Sequence, residues 1–409
     1  MDTKYVKGNM YFTKNRVKEI KKYEYLDESI ETEVVIIGGG ITGAILSYYF
    51  SKENIPNVLL EKSRIGCAST SVSTALLQYE LDNMVNKLEE VMKRENIVKA
   101  YNLGKKALDE LENFIIENGN KCEYVKTDSF LYSSKKDERK LIEYEYNFRK
   151  TNKFDVELIG KEQKIFPFEI EAGIISKNGG AKINPYLLTH HLLELSINKC
   201  GKVFENTKVE DIEYLENDVI VKTSYGNNIK CKKVIIATGY DTDMFTKRNF
   251  GTKSITYNIV TNSIDDSKFN NQECNKYLIR DIKDPYTYIR TTKDNRYIIG
   301  GEDMEVNEKN YSQETLNKKY NILTQRLKTM FPYLRDEEIE YKYCGIFCST
   351  KDDLGFIGED KKHKNLWYSL GYGANGILYA ILAGDMLSKI YKGIENKDIK
   401  LFEVDRFDN

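Results

Sequence analysis

Glu33-Val34-Val35-Ile36-Ile37-Gly38-Gly39-Gly40-Ile41-Thr42-Gly43-Ala44 is the stretch on which the fold turns. Its β-branched run, Val34 to Ile37, reads as a buried strand, and the residues after it, through Tyr49, read as a helix. Between them Gly38, Gly40 and Gly43 keep the G-x-G-x-x-G spacing. In that motif the first glycine allows a tight turn, the second lets backbone approach a pyrophosphate, and the third lets helix and strand pack closely. The N–H groups of the first helical turn, with Ile41 and Thr42, favour an anion, as does the helix dipole. An acid is expected about twenty residues on, at the end of a second strand, to accept hydrogen bonds from a ribose. Val58-Leu59-Leu60-Glu61 supplies it. Strand, glycine loop, helix and acid together predict dinucleotide binding. The glycines alone would also fit a turn in some other α/β protein.

The rest of the composition narrows the field. With 62 basic and 63 acidic residues the net charge is −1, so no bulk field draws nucleic acid or an anionic membrane. A length of 409 residues predicts two or three domains. Seven cysteines, none in a C-x-x-C pair, predict a reducing cytoplasmic compartment rather than a disulfide framework. Three histidines without ligand spacing give no reason to expect a metal. The longest apolar stretch, Val34 to Leu46, is too short to span a bilayer, so no integral membrane contact is expected. Met1-Asp2-Thr3-Lys4 does not open a signal peptide.

Further along, residues 83–118 carry apolar positions at helical spacing and predict one or two amphipathic helices. Residues 123–134 and 166–175 read as short strands and loops, and Ile183-Asn184-Pro185 opens a helix to Cys200. Val203 to Glu205 and Val219 to Val221 read as strands, with a hairpin turn at Tyr225 to Asn228. Residues 255–303 alternate like an antiparallel sheet, and 313–330 read as a helix. Two more glycine-ended strands stand out. Lys233 to Ile236 runs into Ala237-Thr238-Gly239, the form of a parallel strand whose end touches a ligand. Leu366 to Leu370 runs into Gly371-Tyr372-Gly373-Ala374-Asn375-Gly376, then into a helix from Ile377 to about residue 392. That is a second helix start friendly to negative charge. Two such poles suit a flavin dinucleotide, which has a pyrophosphate and a ring edge that gains charge on reduction. A nicotinamide dehydrogenase needs one.

Taken in order, these pieces resemble the FAD-dependent amine and amino-acid oxidoreductases of the D-amino-acid oxidase type, which include glycine, sarcosine and glutamylputrescine oxidases. The resemblance runs over about residues 10–395. It is carried by Val34 to Ala44, Glu61 with Arg64 to Ser69, Gly180 to Pro185, Ile235 to Tyr240, Gly345 to Asp353, and Gly371 to Ile377. The family implies an α/β chain: a glutathione-reductase-type Rossmann domain for non-covalent FAD and a substrate domain with a large antiparallel sheet. The expected FAD segments are 31–82, 176–250 and 340–395. The expected substrate segments are 83–175 and 251–339, and residues 1–30 form an extension packed on the FAD domain. By position, Gly38, Gly40 and Gly43 face the pyrophosphate, Glu61 and Lys62 the adenosine, and Ser69, Thr70 and Thr74 the phosphates or ribityl chain. Val209 meets adenine through its backbone. Ala237, Thr238 and Gly239 line the adenosine side. Gly345, Phe347, Gly371, Gly373, Ala374, Asn375, Gly376 and Ile377 surround the ring.

The chain departs from its relatives where they bind substrate. Phe347 and Ala374 stand where glycine oxidases carry arginines. Leu378 replaces a sarcosine-oxidase lysine, and Ile298 falls where that enzyme has its oxygen-activating lysine. Gly345 takes the position of a flavin-linking cysteine. The replacement is sought on a hairpin, where Tyr286, Tyr288 and Arg290 alternate onto one face and the returning strand ends in Glu302-Asp303. Tyr288, Arg290 and Glu302 are the candidate catalytic residues. Arg290 would bind an anionic group and Glu302 an ammonium, unless the two simply pair across the strands. The implied activity is oxidation of a C–N bond of an amine or amino acid, by hydride transfer to flavin N5 with dioxygen or a redox partner as acceptor. The alternatives are a flavin dehydrogenase serving a redox partner, or a flavoprotein with a degenerate pocket acting as a binding subunit.

Overall fold

A computed structural model describes residues 6–13 and 21–408. Residues 1–5 and 14–20, part of the expected extension, and residue 409 lie outside the described residues.

The glycine-rich stretch sits at the centre of a six-stranded sheet. Its order is Phe356–Glu359, Leu366–Leu370, Lys233–Ile236, Val34–Ile37, Asn57–Leu60, Gly201–Phe204. All pairs are parallel except the first. A parallel strand buried on both faces needs apolar residues throughout, and Val34–Ile37 shows why. Val34 and Ile36 join the core beneath helices Ile41–Lys52, Pro185–Ile197 and Gly376–Tyr391. Val35 and Ile37 join the core on the other face, with Val209, Val219 and Ile229 of a small four-stranded sheet. The turn at Tyr225 to Asn228 falls in that small sheet, with Gly226 at φ +83°.

The second large element is a ten-stranded sheet. Its order is Val6–Gly8, Ile339–Ser349, Thr252–Thr261, Tyr297–Glu305, Tyr288–Thr291, Tyr277–Asp281, Val125–Ser133, Ala172–Lys182, Leu76–Gln78, with Val156–Gly160 also paired to Ala172–Lys182. Only Tyr277–Asp281 with Val125–Ser133 is parallel. Helix Gln313–Met330 closes an apolar layer on it through Leu316, Tyr320, Leu323 and Leu327.

Sheet membership departs from the expected segment bounds. Leu76–Gln78, the end of Ala172–Lys182 and all of Ile339–Ser349 belong to the ten-stranded sheet, although 31–82, 176–250 and 340–395 assign most of them to the FAD side. The extension divides as well. Val6–Gly8 pairs with Tyr343 to Gly345 of the large sheet, whereas Ile30–Glu31 joins the small one. The supposed short strands near 123–134 and 166–175 are long, Val125–Ser133 and Ala172–Lys182. An unexpected helix, Arg139–Thr151, lies between them. The helical stretch 83–118 resolves into Val85–Leu88 and Arg94–Asn118.

Candidate functional site

The glycines of the first loop are fixed by contact. A Cβ on Gly43 would lie 1.9 Å from the Gly38 carbonyl oxygen, and one on Gly38, at φ +116°, 2.4 Å from that of Ala237. Gly40 is the N-cap of helix Ile41–Lys52 and caps it with no side chain. Its Cβ would meet only Thr70 Oγ1, at 3.2 Å. The same hydroxyl accepts the Ile41 N–H at 3.0 Å, so Thr70 touches the helix start whose first turn also holds Thr42.

Glu61 closes the loop from the neighbouring strand end. Its carboxylate accepts the N–H groups of Gly39 and Ser63, both at 2.8 Å. Burial raises its pKa, and those two N–H groups oppose the rise. Lys62 pairs with Asp241. Thr207 N–H donates to the Glu61 carbonyl at 2.9 Å, which brings the start of Val209–Tyr214 beside the acid. From the strand on the other side, Ala237 is buried against Gly38 and Gly239, at φ +60°, has open space above it. Thr238 Oγ1 is buried with no hydrogen-bond partner among the described residues.

The second loop repeats the arrangement. Gly371 and Gly376 touch so closely that a Cβ on Gly371 would lie 2.3 Å from the Gly376 carbonyl oxygen. Gly373 takes φ +74° and donates its N–H to the Cys348 carbonyl at 2.8 Å. Ala374 N–H donates to Asp82 Oδ2 at 2.9 Å, and Asn375 Nδ2 to the Glu80 carbonyl at 2.8 Å. Asn375 Oδ1 is buried without a partner among the described residues.

A cleft of about 830 Å³, counted with its open mouth, lies between the two sheets. It is lined by Ser69, the segment Val72 to Gln78, Tyr240, Gly373, Ala374 and Ile377, and by Gly345 to Phe347, Thr256, Arg280, Tyr286, Tyr288 and Asp303, where Gly345 and Thr256 are neighbours across paired strands. Ser69, Thr74, Gly345, Phe347, Gly373, Ala374, Ile377 and Tyr288, all candidates from the sequence, thus meet in one place.

Arg290 and Glu302 do not line this cleft, and they do not pair. Arg290 is buried under the Phe12 ring and donates Nη1 to the carbonyls of Thr74, Ala75 and Ile183 at 2.8–3.0 Å. It shares a face with Tyr288, but two residues further along a strand is ~7 Å, and that step carries it past the cleft. It holds the Thr74–Ala75 wall instead. Glu302 turns away because of a β-bulge. Ile255 pairs with Met304 and Tyr257 with Gly301, so Thr256 alone stands opposite Glu302 and Asp303. Gly301 at φ +136° and Glu302 at φ +60° make the kink. Glu302 therefore reaches helix Gln313–Met330, where Lys319 (3.0 Å) and Arg326 hold it and depress its pKa.

Asp303 takes the inward place. Arg280, Asp82 and Asp303 escaped the sequence reading. Arg280 and Asp303 have a sequence signal only once strand register is known. Gly300 adds one detail: a Cβ there would lie 2.3 Å from the Tyr288 ring, so glycine leaves room for that ring across the strand.

These residues fit FAD. Two glycine loops each open a helix, Gly239 leaves open space above it, and two buried polar atoms, Thr238 Oγ1 and Asn375 Oδ1, lack partners among the described residues. The family comparison agrees. The model of the FAD-dependent oxidoreductases of the DAO type matches residues 33–390, and the chain belongs to that family.

Among individual relatives, the chain is 24% identical to YhfW of Bacillus subtilis (strain 168), described as a Rieske 2Fe-2S iron-sulfur protein, over 95% of this chain and 74% of that one. It is also 24% identical to the gamma-glutamylputrescine oxidoreductase of Escherichia coli (strain K12), over 91% of this chain and 86% of that one. The crystal structure of glycine oxidase from Geobacillus kaustophilus shares the fold, with TM-score 0.75, 18% identity, and coverage of 92% of this chain and 98% of the other. The protein is an FAD-dependent oxidoreductase. No described helix is long and apolar enough to cross a membrane, and no group of three or more metal-ligating side chains occurs among the described residues.

Proposed function

We propose that the protein oxidises the C–N bond of a small amine or amino acid, with FAD held non-covalently. Gly38, Gly40, Gly43 and Glu61 would hold the dinucleotide end, and Gly345, Gly373 and Asn375 the ring end. Bound FAD supplies the two-electron acceptor. The observation that carries the reading is the cleft itself, which brings Gly345, Gly373 and Ala374, the expected ring-side residues, together with Tyr286 and Tyr288. Its wall positions a small molecule and keeps water from the reacting carbon, and orientation of this kind supplies much of a barrier reduction. Relatives named as gamma-glutamylputrescine oxidoreductase and glycine oxidase support the amine class.

The electron acceptor we propose is a redox partner rather than dioxygen. Ile298, where the resemblance expects the oxygen-activating lysine, is buried in an apolar cluster with Val6 and Tyr343. No lysine lines the cleft among the described residues. The relative described as a Rieske protein fits the same reading. A cytoplasmic location is proposed with it, since no disulfide joins any of the seven cysteines.

The test is anaerobic bleaching of the flavin by a panel of amines, amino acids and 2-hydroxy acids. Bleaching by amines alone supports the reading; bleaching by hydroxy acids alone overturns it. Reoxidation in air at a small fraction of the rate given by an artificial dye supports the partner, and rapid peroxide formation overturns it.

A further inference from the structure

The two charged side chains of the cleft wall differ in how they are neutralised. Arg280 is answered from behind. Its Nη1 donates to the Asp82 carbonyl at 2.9 Å and its Nη2 to the Leu81 carbonyl at 3.1 Å, and the Asp82 carboxylate lies 3.7 Å away. Asp82 is itself fixed by the Tyr286 hydroxyl at 3.1 Å and the Ala374 N–H at 2.9 Å. Arg280 thus gives one N–H from each Nη to backbone, its Nε is buried without a partner among the described residues, and its charge is balanced by Asp82.

Asp303 is not answered. Its Oδ1 is buried with no hydrogen-bond partner among the described residues, and the carboxyl's own contact is the Thr256 hydroxyl. The nearby cation, Lys319, is engaged by Glu302 at 3.0 Å. A desolvated carboxylate with no cation of its own costs several kcal/mol. Beside it stands the Tyr288 ring, whose hydroxyl is held by Thr256 at 2.9 Å and Asn258 at 3.1 Å. A carboxylate next to an aromatic ring is an environment that attracts a cation.

We propose that Asp303 is the ammonium-binding residue of the cleft, and that the substrate is a cationic amine without a carboxylate. The inference rests on the amine-oxidising reading and names its substrate class. Asp303 draws in the ammonium and repels a carboxylate, while the charge of Arg280 is already balanced by Asp82.

The experiment uses the FAD-loaded protein under anaerobic conditions and three probes with a four-carbon chain: butylamine, 1,4-diaminobutane and 4-aminobutanoate. Shift of the flavin spectrum reports binding, and its bleaching reports reduction. The wild type is expected to bind the two amines at least tenfold more tightly than 4-aminobutanoate. Asp303→Asn, with flavin content unchanged, should weaken both amines at least tenfold and bind 4-aminobutanoate as well or better. Asp303→Glu should restore much of the preference. Equal binding of all three probes by the wild type overturns the inference, as does an unaltered preference in Asp303→Asn. If Asp303→Asn fails to retain FAD, the wild-type preference and the Asp303→Glu variant decide. Amine-dependent spectral shifts without bleaching would overturn the amine-oxidising reading and leave Asp303 as a cation site. Bleaching that ignores Asp303 would do the reverse.

Discussion

The two sheets build their halves of the site from different materials. On the six-stranded sheet the site is backbone: glycines that permit contact, N–H groups at two helix starts, and one carboxylate that ties a loop down. On the ten-stranded sheet it is side chains, brought together from strands far apart in sequence, and one bulge decides which of two adjacent acids faces in. A backbone site is written at fixed spacing and tolerates almost no added atoms. A side-chain site tolerates substitution but depends on register.

The largest expected effect breaks the first half. Gly43→Val places a side chain where even a Cβ overlaps the Gly38 carbonyl, and the first helix must leave its strand. We expect a loss above ~4 kcal/mol, the exceptional end of single substitutions. It would be read as no flavin retained and a collapsed thermal transition. An unchanged melting temperature would show that the helix and strand are not packed as described.

Glu61→Ala removes the acceptor for two loop N–H groups. FAD affinity should fall by about 1–3 kcal/mol, the scale for a lost charge-assisted hydrogen bond, measured by flavin titration of the apoprotein.

For the second half, pH is the finer probe. Burial pushes the Asp303 carboxyl up to about 6, opposed by Thr256 and Lys319 and reinforced by Asp82 and Glu302; Tyr257, Tyr286 and Tyr288 complete its titratable neighbours. Its native pKa lies above the unfolded value, so its ionised form costs stability that returns as pH falls through about 6. Cation binding runs the other way, because only the ionised form attracts an ammonium. KM for a cationic amine should rise up to tenfold per pH unit below about 6, and the rise should vanish in Asp303→Asn.

The smallest effect sharpens the bulge. Glu302→Gln weakens two partly exposed ion pairs, so stability should fall by about 1 kcal/mol with amine preference unchanged. A lost preference would mean that Glu302, not Asp303, faces the cleft.

The same contrast explains what could be read in advance. The strand Val34–Ile37, its helix and the second glycine loop are local patterns, and the fold places them as the sequence predicts. Alternation puts Arg290 on the Tyr288 face, where it is, but too far along the strand to reach the cleft; for Glu302 alternation itself fails. Alternation is sound until a residue is inserted, and Gly301-Glu302 inserts one. Arg280 lies on a strand whose parallel partner, Val125–Ser133, is some 150 residues away in sequence. No short-range pattern announces such a pairing.

The three-residue strand Val6–Gly8 has a bearing on how the molecule behaves among its own copies. Without it, the eleven-residue strand Ile339–Ser349 would end the ten-stranded sheet with its Tyr343 to Gly345 backbone unpaired. A long bare edge of that kind is a template for another chain. The segment is thus a built-in guard against self-association, laid over the strand that carries Gly345 and Phe347.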